Sequence, residues 1–393
     1  MRILFLSRWF PHPTDNGSKL RIRNLLKGLS NRHEISLISF IDADKVDFDR
    51  AELRTICEDV KIVPWRPYNP NSKRALMGFV SLTPRSHVDT FSQEMVDHIE
   101  KTITNERFDL IIASQWEMAR YYPHFGDVPA LFEEVELGVY YGRFNDTESL
   151  TERMRHGLTW YKQRRYLSRL LPIFRASTVV SEEEKHLLNQ AVPGHGRTEI
   201  IPNCIDLTSY SSVREEPQDN RLIFTGPFSY PVNYWSILWF LDNVYPHIRE
   251  EVPEVSLAIT GDPDSKTVPP NAGVRQTGFV DDVRPLIASS WASIVPLQSG
   301  GGTRLKILEA MALRTPVVTT SKGAEGLNVK NGETVLIADE PREFATAVVR
   351  LLKNRDLRDQ LADNAYQLVS KHYDWAGVMP RFLQLVEETA RAA

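Results

Sequence analysis

Residues 292–312 indicate most directly how this chain folds, and they read ASIVPLQSGGGTRLKILEAMA. The stretch opens with an apolar run of strand length and closes with apolar residues at helical spacing. Three successive glycines, Gly300 to Gly302, separate the two parts and let backbone amides approach a ligand without a Cβ in the way. The next residue, Thr303, is of a type that often caps helices. The pattern therefore predicts a strand, a glycine-rich turn and a helix whose start is a potential ligand site.

Two cations, Arg304 and Lys306, lie in the predicted first turn of this helix. Cations there oppose the positive end of the helix dipole at a cost of about 0.3–1 kcal/mol, whereas anions are favoured. A phosphate or diphosphate held between the backbone amides and both side chains would offset this cost. The alternative interpretation is a flexible turn with solvated cations.

Further along the same helix, Glu309 lies beside the predicted buried stripe of Leu305, Leu308 and Ala312. Its carboxylate is therefore expected to be partly enclosed, and an enclosed carboxylate needs donors or a counter-charge. The vicinal hydroxyls of a ribose would supply two donors, as at other nucleotide sites. A buried structural ion pair is the alternative.

Outward from this stretch, strand-length apolar runs alternate with helical segments over most of the chain, the pattern of parallel sheets flanked by helices. With 393 residues the chain exceeds the size of a single core, which rarely grows past about 250–300 residues. A segment at 201–203, followed by a polar stretch at 209–220, reads as a linker. We predict an α/β protein of two Rossmann-like domains that face each other across a cleft. They comprise residues 1–203 and 204–375, with a C-terminal helix at 376–393 that packs back on the first domain.

Composition and charge exclude several classes of protein. The net charge of −4, from 47 basic and 51 acidic side chains, argues against a dedicated nucleic-acid binder. The two cysteines, Cys57 and Cys204, are too few for a disulfide framework. The N-terminal run breaks at Arg8 before a signal-peptide core forms, and no segment has the about 18 apolar residues of a membrane span, so we expect a cytoplasmic protein. The basic segment 150–175 is either a solvated helix face or a stripe that faces phosphates or a membrane surface, which leaves peripheral association with the inner membrane face open.

A second glycine-containing turn follows the first predicted strand. Gly17 precedes Lys19 and Arg21, so the same electrostatic argument applies more weakly, and a plain helix start is the alternative. The turn lacks both the dinucleotide fingerprint and the phosphate-loop signature, so hydride transfer and ATP hydrolysis gain no support. Two acidic pairs, Asp42/Asp44 and Asp262/Asp264, have a spacing that some metal-dependent sugar transferases use. The second pair looks like turn chemistry after a strand.

Together these motifs resemble the GT-B fold retaining glycosyltransferases of family 4, also called glycosyl transferases group 1. The most specific part is residues 300–327, which include EAMA at 309–312, TPVVTT at 315–320 and GAEGL at 323–327. Supporting segments are VSE at 180–182, IPN at 201–203, LIFTG at 222–226 and TGFV at 277–280. The order and spacing of these segments make the resemblance specific over nearly the whole chain.

The resemblance assigns donor-binding roles to several positions. Glu309 would bind the donor ribose, and the backbone from Gly302 through Thr303 and Arg304 to Leu305 would lie near the diphosphate or sugar. Val280 would meet the nucleotide base through its main chain. Gly17 would let the first loop approach the diphosphate.

The chain departs from the family pattern at three places. Gly301 occupies the position of the first acid of the family's two-glutamate motif. The stretch 226–233, where the family often has cations, contains none, so we expect Arg304 and Lys306 to take over the neutralisation of phosphate. An active-site histidine that often follows the strand at about 129–132 is absent from FEEVE at 132–136. Glu133 or Glu134 is expected to substitute for it, although either could be a solvated turn residue.

The resemblance thus implies transfer of a hexose or related sugar from a UDP- or GDP-linked donor to a hydroxyl acceptor, with retention of configuration. The acceptor would be a glycan, a lipid-linked molecule or a small molecule, and no metal or other cofactor is expected. Arg304 and Lys306 would stabilise the charge that develops on the β-phosphate. The alternatives are a nucleotide-sugar epimerase of the same architecture, a catalytically inactive homologue that binds nucleotide sugars, and a two-domain binding protein.

Overall fold

The computed structural model describes residues 1–14, 16–42, 51–145, 147, 149–302 and 304–391. By its internal contacts the chain forms two units, Met1–Pro202 with Met379–Ala393, and Asn203–Val378. The predicted boundary followed residue 203, and the observed one lies one residue earlier. Each unit contains its own sheet.

The first unit is a parallel sheet of strand order β3-β2-β1-β4-β5-β6-β7, with helices in the connections. Its strands are buried on both faces, as in the fully buried Leu4, Ile112 and Phe132, so they read as continuous apolar runs rather than as alternating patterns. Its elements are β1 (Arg2–Ser7), α1 (Gly17–Ser30), β2 (Glu34–Asp42), α2 (Ala51–Arg54), β3 (Asp59–Trp65), α3 (Lys73–Met77), α4 (Arg85–Asp89), α5 (Gln93–Asn105), β4 (Leu110–Ser114), α6 (Trp116–Ala119), β5 (Ala130–Glu133), α7 (Gly138–Asn145), α8 (Leu150–Leu170), β6 (Ala176–Val179), α9 (Glu182–Ala191) and β7 (Arg197–Ile200).

The second unit is a parallel sheet of order β10-β9-β8-β11-β12-β13, around a core that includes the fully buried Phe224, Ile294 and Val318. The last helix continues beyond this unit, and its residues from Met379 belong to the first. The elements are β8 (Gln218–Thr225), α10 (Pro231–Asn243), α11 (Tyr245–Glu251), β9 (Ser256–Thr260), β10 (Val274–Gly278), α12 (Arg284–Ala288), β11 (Ser290–Val295), α13 (Leu305–Ala312), β12 (Val317–Thr319), α14 (Ser321–Ala324), β13 (Leu336–Ile337), α15 (Pro341–Lys353), α16 (Arg355–His372) and α17 (Trp375–Arg391).

The predicted fold class, two Rossmann-like parallel-sheet units, is confirmed. In each sheet the strand order reverses once, between β1 and β4 in the first and between β8 and β11 in the second. Ligands of open α/β sheets bind beyond the carboxyl ends of the strands at such a reversal. In the second unit this place lies after Thr225 and Val295, the last residues of β8 and β11.

Of the helices described above, none combines the length and the apolar character needed to span a bilayer.

Candidate active site

The helix of the opening stretch begins one residue later than predicted. Arg304 occupies the N-cap of α13 with non-helical dihedral angles, φ −84° and ψ 79°, so only Lys306 of the two cations lies in the first turn. The predicted cap, Thr303, lies outside the described residues. The buried face also differs from the predicted stripe, because Ile307, Ala310 and Met311 are fully buried in addition to Leu308, whereas Leu305 is only partly buried.

Arg304 turns back on the glycine-rich loop. Its side chain is 6% exposed, its Nη2 donates to the carbonyl oxygen of Gly300 at 2.9 Å, and its Nη1 donates to that of Gly301. Gly300 and Gly302 have φ of 99° and 79°, which residues with a Cβ rarely adopt. The arginine therefore holds the shape of a loop that only glycine can form, next to the start of α13.

Lys306 crosses from α13 to the end of β8. Its ammonium donates to the carbonyl oxygen of Thr225 and, at 2.9 Å, to Oδ1 of Asn233, and it lies 4.6 Å from the centre of the Phe224 ring. Burial, and secondly the charge of Arg304, lower the pKa of Lys306 to about 7, while Glu309 acts in the opposite direction. Two cations, Lys306 and Arg304, therefore lie close together here, and Glu309 is the acidic group described near them.

Gly226, directly after β8, makes this approach possible. It has φ 141°, and a Cβ there would lie 2.8 Å from the Lys306 ammonium and 2.6 Å from Nδ2 of Asn233. The stretch 226–233 has no cation in its own sequence, yet the fold brings Lys306 to it. Sequence reasoning missed Asn233; its available signal was a polar residue in the first turn of a helix that follows a glycine at a strand end.

Glu309 lies one turn further along α13. Burial raises the pKa of its carboxyl group, and the hydrogen bond from Tyr210 is the largest opposing effect. The Tyr210 hydroxyl donates to Oε1 at 3.1 Å, and the Arg284 guanidinium lies over the Tyr210 ring while it pairs with Asp282 at 2.8 Å. The described partner of Glu309 is thus a tyrosine hydroxyl rather than a cation. Tyr210 and Arg284 were not predicted, because only the fold brings these distant segments to α13.

Val280 and Gly17 belong to elements other than α13. Val280 is partly buried and follows β10, the outermost strand of the second sheet, beside Phe279, which is 70% exposed. Gly17 is the first residue of α1 in the first unit, where the Asn16 side chain caps the helix by accepting from the Lys19 amide at 3.0 Å. The acidic pair Asp262/Asp264 forms the expected turn, since Asp262 accepts from the Asp264 amide at 3.0 Å, and Asp44 lies outside the described residues.

The structure does not support Glu133 as a catalytic residue. Its side chain is fully buried at the end of β5, where Oε1 pairs with the Arg21 guanidinium at 2.7 Å and Oε2 accepts from the Ser114 hydroxyl at 2.6 Å. Arg21 also donates to the carbonyl oxygen of Pro202 at 3.1 Å. Both carboxylate oxygens are therefore occupied by the protein, and the group is a structural anchor between α1, β4 and β5.

Glu134 differs from Glu133 in its backbone conformation, and the pKa of its carboxyl group is raised. It adopts φ 61°, and Gln115 at the end of the adjacent strand adopts φ 67°, so two non-glycine residues side by side have left-handed backbones. Gln115 donates to Oε2 of Glu134 at 2.7 Å, and burial raises the pKa of Glu134 to about 7. Such strain persists only where the surroundings enforce it, and it clusters at functional sites.

Comparison with known proteins agrees with the fold and with the predicted resemblance. Residues 219–354 match the model of the family described as Glycosyl transferases group 1. The match covers about a third of the chain, within the second unit, and it confirms the predicted resemblance to this family, while the narrower assignment to family 4 stays a prediction. A curated relative, an uncharacterized 44.6 kDa protein in the cps region of Klebsiella pneumoniae, is 26% identical over 165 residues. That match covers 39% of this chain and 42% of the relative, so the chain spans about two fifths of that protein's length.

Solved structures match over the full chain. Sucrose-phosphate synthase from Thermosynechococcus elongatus superposes with a TM-score of 0.75 at 16% identity, covering 100% of both chains. The Anabaena protein Alr3699/HepE in complex with UDP-glucose superposes with a TM-score of 0.65 at 16% identity, covering 99% of this chain and 100% of the other. At these identities the likeness establishes the fold.

Proposed function

We propose that this protein transfers a sugar from a nucleotide-diphosphate donor to a hydroxyl acceptor. The observation that supports this most is Lys306, a cation placed by α13 at the reversal point of the second sheet, where its hydrogen-bond partners are the neutral oxygens of Thr225 and Asn233. A donor diphosphate would supply negative charge there. When the bond between the sugar and the β-phosphate oxygen breaks, charge develops on that phosphate, and Lys306 and the amides at the start of α13 stabilise it.

The donor is proposed to be a UDP- or GDP-linked sugar, with UDP-glucose as the first compound to test, because a protein of the same fold is known in complex with it. At a hundredfold excess over its Kd, a donor stabilises the native state by about 2.7 kcal/mol. For a chain of 393 residues we expect the melting temperature to rise by roughly 3 °C. A panel of UDP- and GDP-sugars that left the melting temperature unchanged at millimolar concentration would refute donor binding.

The reaction is proposed to retain the anomeric configuration and to need no added metal, since Lys306 and Arg304 supply positive charge near the phosphates. Proton NMR of the product distinguishes retention from inversion directly. A chelator should leave turnover unchanged, and loss of turnover that Mg²⁺ restores would contradict this part of the proposal.

Transfer must also be separated from two related outcomes. We expect donor consumption to depend on an added hydroxyl acceptor. Conversion of the donor to its epimer without acceptor would identify an epimerase, and donor binding without any consumption across an acceptor panel would identify an inactive homologue.

Of the two glutamates after β5, we propose Glu134 rather than Glu133 as the group that meets the acceptor hydroxyl. Its pKa of about 7 suits a proton acceptor near neutral pH, because it is ionised above that value and protonated below it. Turnover should therefore rise with pH through about 7 and lose this dependence in Glu134→Gln. An unchanged pH profile in that variant would exclude the role.

A further inference from the structure

A short segment of the first unit exposes an unusual number of apolar side chains. Residues 76–82 comprise the last two residues of α3 and the five that follow it, and five of the seven expose large apolar groups to solvent. Scattered exposed apolar residues are ordinary, but a contiguous group of them marks an interaction surface. The five are Leu76 at 51%, Met77 at 68%, Phe79 at 57%, Val80 at 93% and Leu82 at 48% exposed.

Helix α8 carries a second exposed apolar set. Leu150, Met154, Leu158 and Tyr161 are each between 52% and 78% exposed. Their spacing of four, four and three residues places them on one face, because a helix turns about 100° per residue. The opposite face is the one that packs on the first unit, with Trp160, Gln163, Leu167 and Leu170 buried.

Hydrogen bonds join α8 to the segment 76–82, so the two exposed apolar sets are connected. Lys162 of α8 is 9% exposed, and its ammonium donates to the carbonyl oxygens of Gly78 and Phe79 at 2.9 and 3.1 Å. Arg85 covers one face of the Phe79 ring at 3.7 Å, which holds the ring in place while its remaining surface faces solvent. Residues 76–82 therefore lie next to α8 at Lys162, the residue after Tyr161 at one end of the exposed apolar face. We call residues 76–82 and this face together the apolar patch.

Arginines border the α8 part of the patch on both sides. By helical position, Arg153 and Arg164 flank the stripe on one side, and Arg155 and Arg169 flank it on the other. The acid of this helix, Glu152, points away from the stripe by about 160°. The chain has a net charge of −4, so this positive charge is local rather than a property of the whole protein. Exposed Lys73 and Arg74 add to it beside the loop.

We infer that the apolar patch docks on an anionic lipid bilayer. In this arrangement the apolar side chains enter the boundary between headgroups and acyl chains, as they do in interfacial amphipathic helices. The flanking arginines reach sideways to lipid phosphates, as long cationic side chains do at membrane surfaces. An apolar stripe with positive charge on both borders matches a flat anionic surface, which decides between a solvated and a membrane-facing helix in favour of the second.

Vesicle flotation tests this inference on the full chain and needs no turnover, so its result is independent of the proposed enzymatic activity. We expect the protein to float with vesicles of phosphatidylcholine and phosphatidylglycerol and to bind less with phosphatidylcholine alone. Added salt should weaken binding, because each basic residue near the surface contributes about fivefold in affinity at low ionic strength.

Two sets of variants separate the apolar and cationic parts. Phe79→Ser with Val80→Ser, and separately Leu158→Gln with Met154→Gln, should lower vesicle affinity by at least about tenfold, since each removes exposed apolar groups that would be buried in lipid. Arg155→Gln with Arg169→Gln should lower it by about twentyfold or more at low salt. All these residues are solvent-exposed, so melting temperatures should stay near the wild-type value.

A matched control is Trp235→Ser, which removes a side chain that is 66% exposed in the second unit. It should float as the wild type does. The inference is overturned if anionic vesicles leave the protein unbound, or if the patch variants float as well as Trp235→Ser. It is also overturned if the chain is a dimer in solution that only the patch variants dissociate, because the patch would then be covered by a second copy.

Discussion

The two units each place a buried cation at the carboxyl edge of a parallel sheet, but they treat its charge differently. In the first unit, Arg21 pairs with the fully buried Glu133 at 2.7 Å. In the second, Lys306 meets the carbonyl oxygen of Thr225 and the amide oxygen of Asn233, with Arg304 as a neighbour of like charge. A neutralised cation stabilises the fold, whereas a cation left with neutral partners is ready for an anionic ligand. The comparison therefore favours a structural role for the first site and supports the proposal of donor binding at the second.

The largest effect is expected on folding stability, from a substitution in the Arg21–Glu133 pair. Arg21→Met leaves the Glu133 carboxylate buried without its cation, and breaking one partner of a buried pair costs about 3–5 kcal/mol of folding free energy. Urea unfolding measures this loss. Arg32→Met removes an arginine beyond the end of the same helix whose side chain is 62% exposed, and it should change the unfolding free energy by at most about 0.5 kcal/mol.

A double variant shows whether the cost comes from the orphaned charge. Glu133→Gln in the Arg21→Met background removes that charge and keeps a hydrogen-bonding group for Ser114, so most of the lost stability should return. If the double variant were as unstable as Arg21→Met, lost packing rather than charge would explain the effect, and the contrast between the two sites would fail.

The second largest effect is expected on turnover, from a substitution of Lys306, whose hydrogen-bond partners are neutral. Lys306→Met should lower turnover of UDP-glucose, or of the sugar nucleotide found by the melting screen, by about 10²–10³-fold, the usual cost of removing one group that stabilises developing charge. Nucleotide release reports the rate, and a circular dichroism spectrum like that of the wild type confirms the fold. Lys330→Met, at a side chain 71% exposed, is the matched control. Turnover within a few-fold of the wild type in Lys306→Met would contradict the assigned role.

The sequence predicted the parts of the fold that depend on local pattern. The alternation of apolar runs with helical segments became two parallel sheets, in which a central strand such as β1 is buried on both faces, whereas the edge strand β10 is only partly buried. Strand β3 escaped prediction since Pro64 argues against a central strand, and β3 in fact lies at the sheet edge, where proline is tolerated. The two-residue β13 has too little sequence to form a pattern.

Prediction of the site was less complete, for a physical reason. Arg304, Lys306 and Glu309 lie within one helical turn and its cap, so spacing alone groups them. Their partners Tyr210 and Asn233 are 99 and 73 residues away in the chain, and only the sheet topology makes them neighbours. The same limit applies to Glu133, because Arg21, the cation that pairs with it, is 112 residues earlier in the chain.

The third prediction concerns donor affinity and tests whether the Glu309 carboxylate binds ribose. Glu309→Gln should weaken UDP-glucose binding by about tenfold in calorimetry, since a charged acceptor makes hydrogen bonds stronger than a neutral amide does. A donor without the ribose 2′-hydroxyl and one without the 3′-hydroxyl give the sharper comparison. The wild type should lose affinity for at least one of them, and Glu309→Gln should discriminate less. Equal discrimination by both proteins would show that Glu309 contacts something other than ribose.

The last prediction is a pH dependence of stability that comes from Lys306 in the unliganded protein. Its pKa is about 7 in the folded chain and 10.5 in the reference state, so between these values the unfolded chain binds more protons and stability rises with pH. Lys306→Met lacks this titration. The wild type should therefore gain stability relative to the variant as pH rises from 7 to 10, by up to about 3 kcal/mol or roughly 4 °C in Tm.

Other groups titrate over the same range, but they do so in both proteins and cancel in the difference. Lys330→Met, a change at a side chain that is 71% exposed, is the matched control for this comparison. Repeating the measurement with bound donor makes the test of this pH dependence more specific. Its diphosphate favours the charged ammonium and raises the pKa of Lys306 towards the unfolded value, so saturating UDP-glucose should flatten the difference between wild type and Lys306→Met. A difference that kept its slope with donor bound would mean that the diphosphate lies away from Lys306, and the distinction between the two buried cations would then have to rest on structure alone.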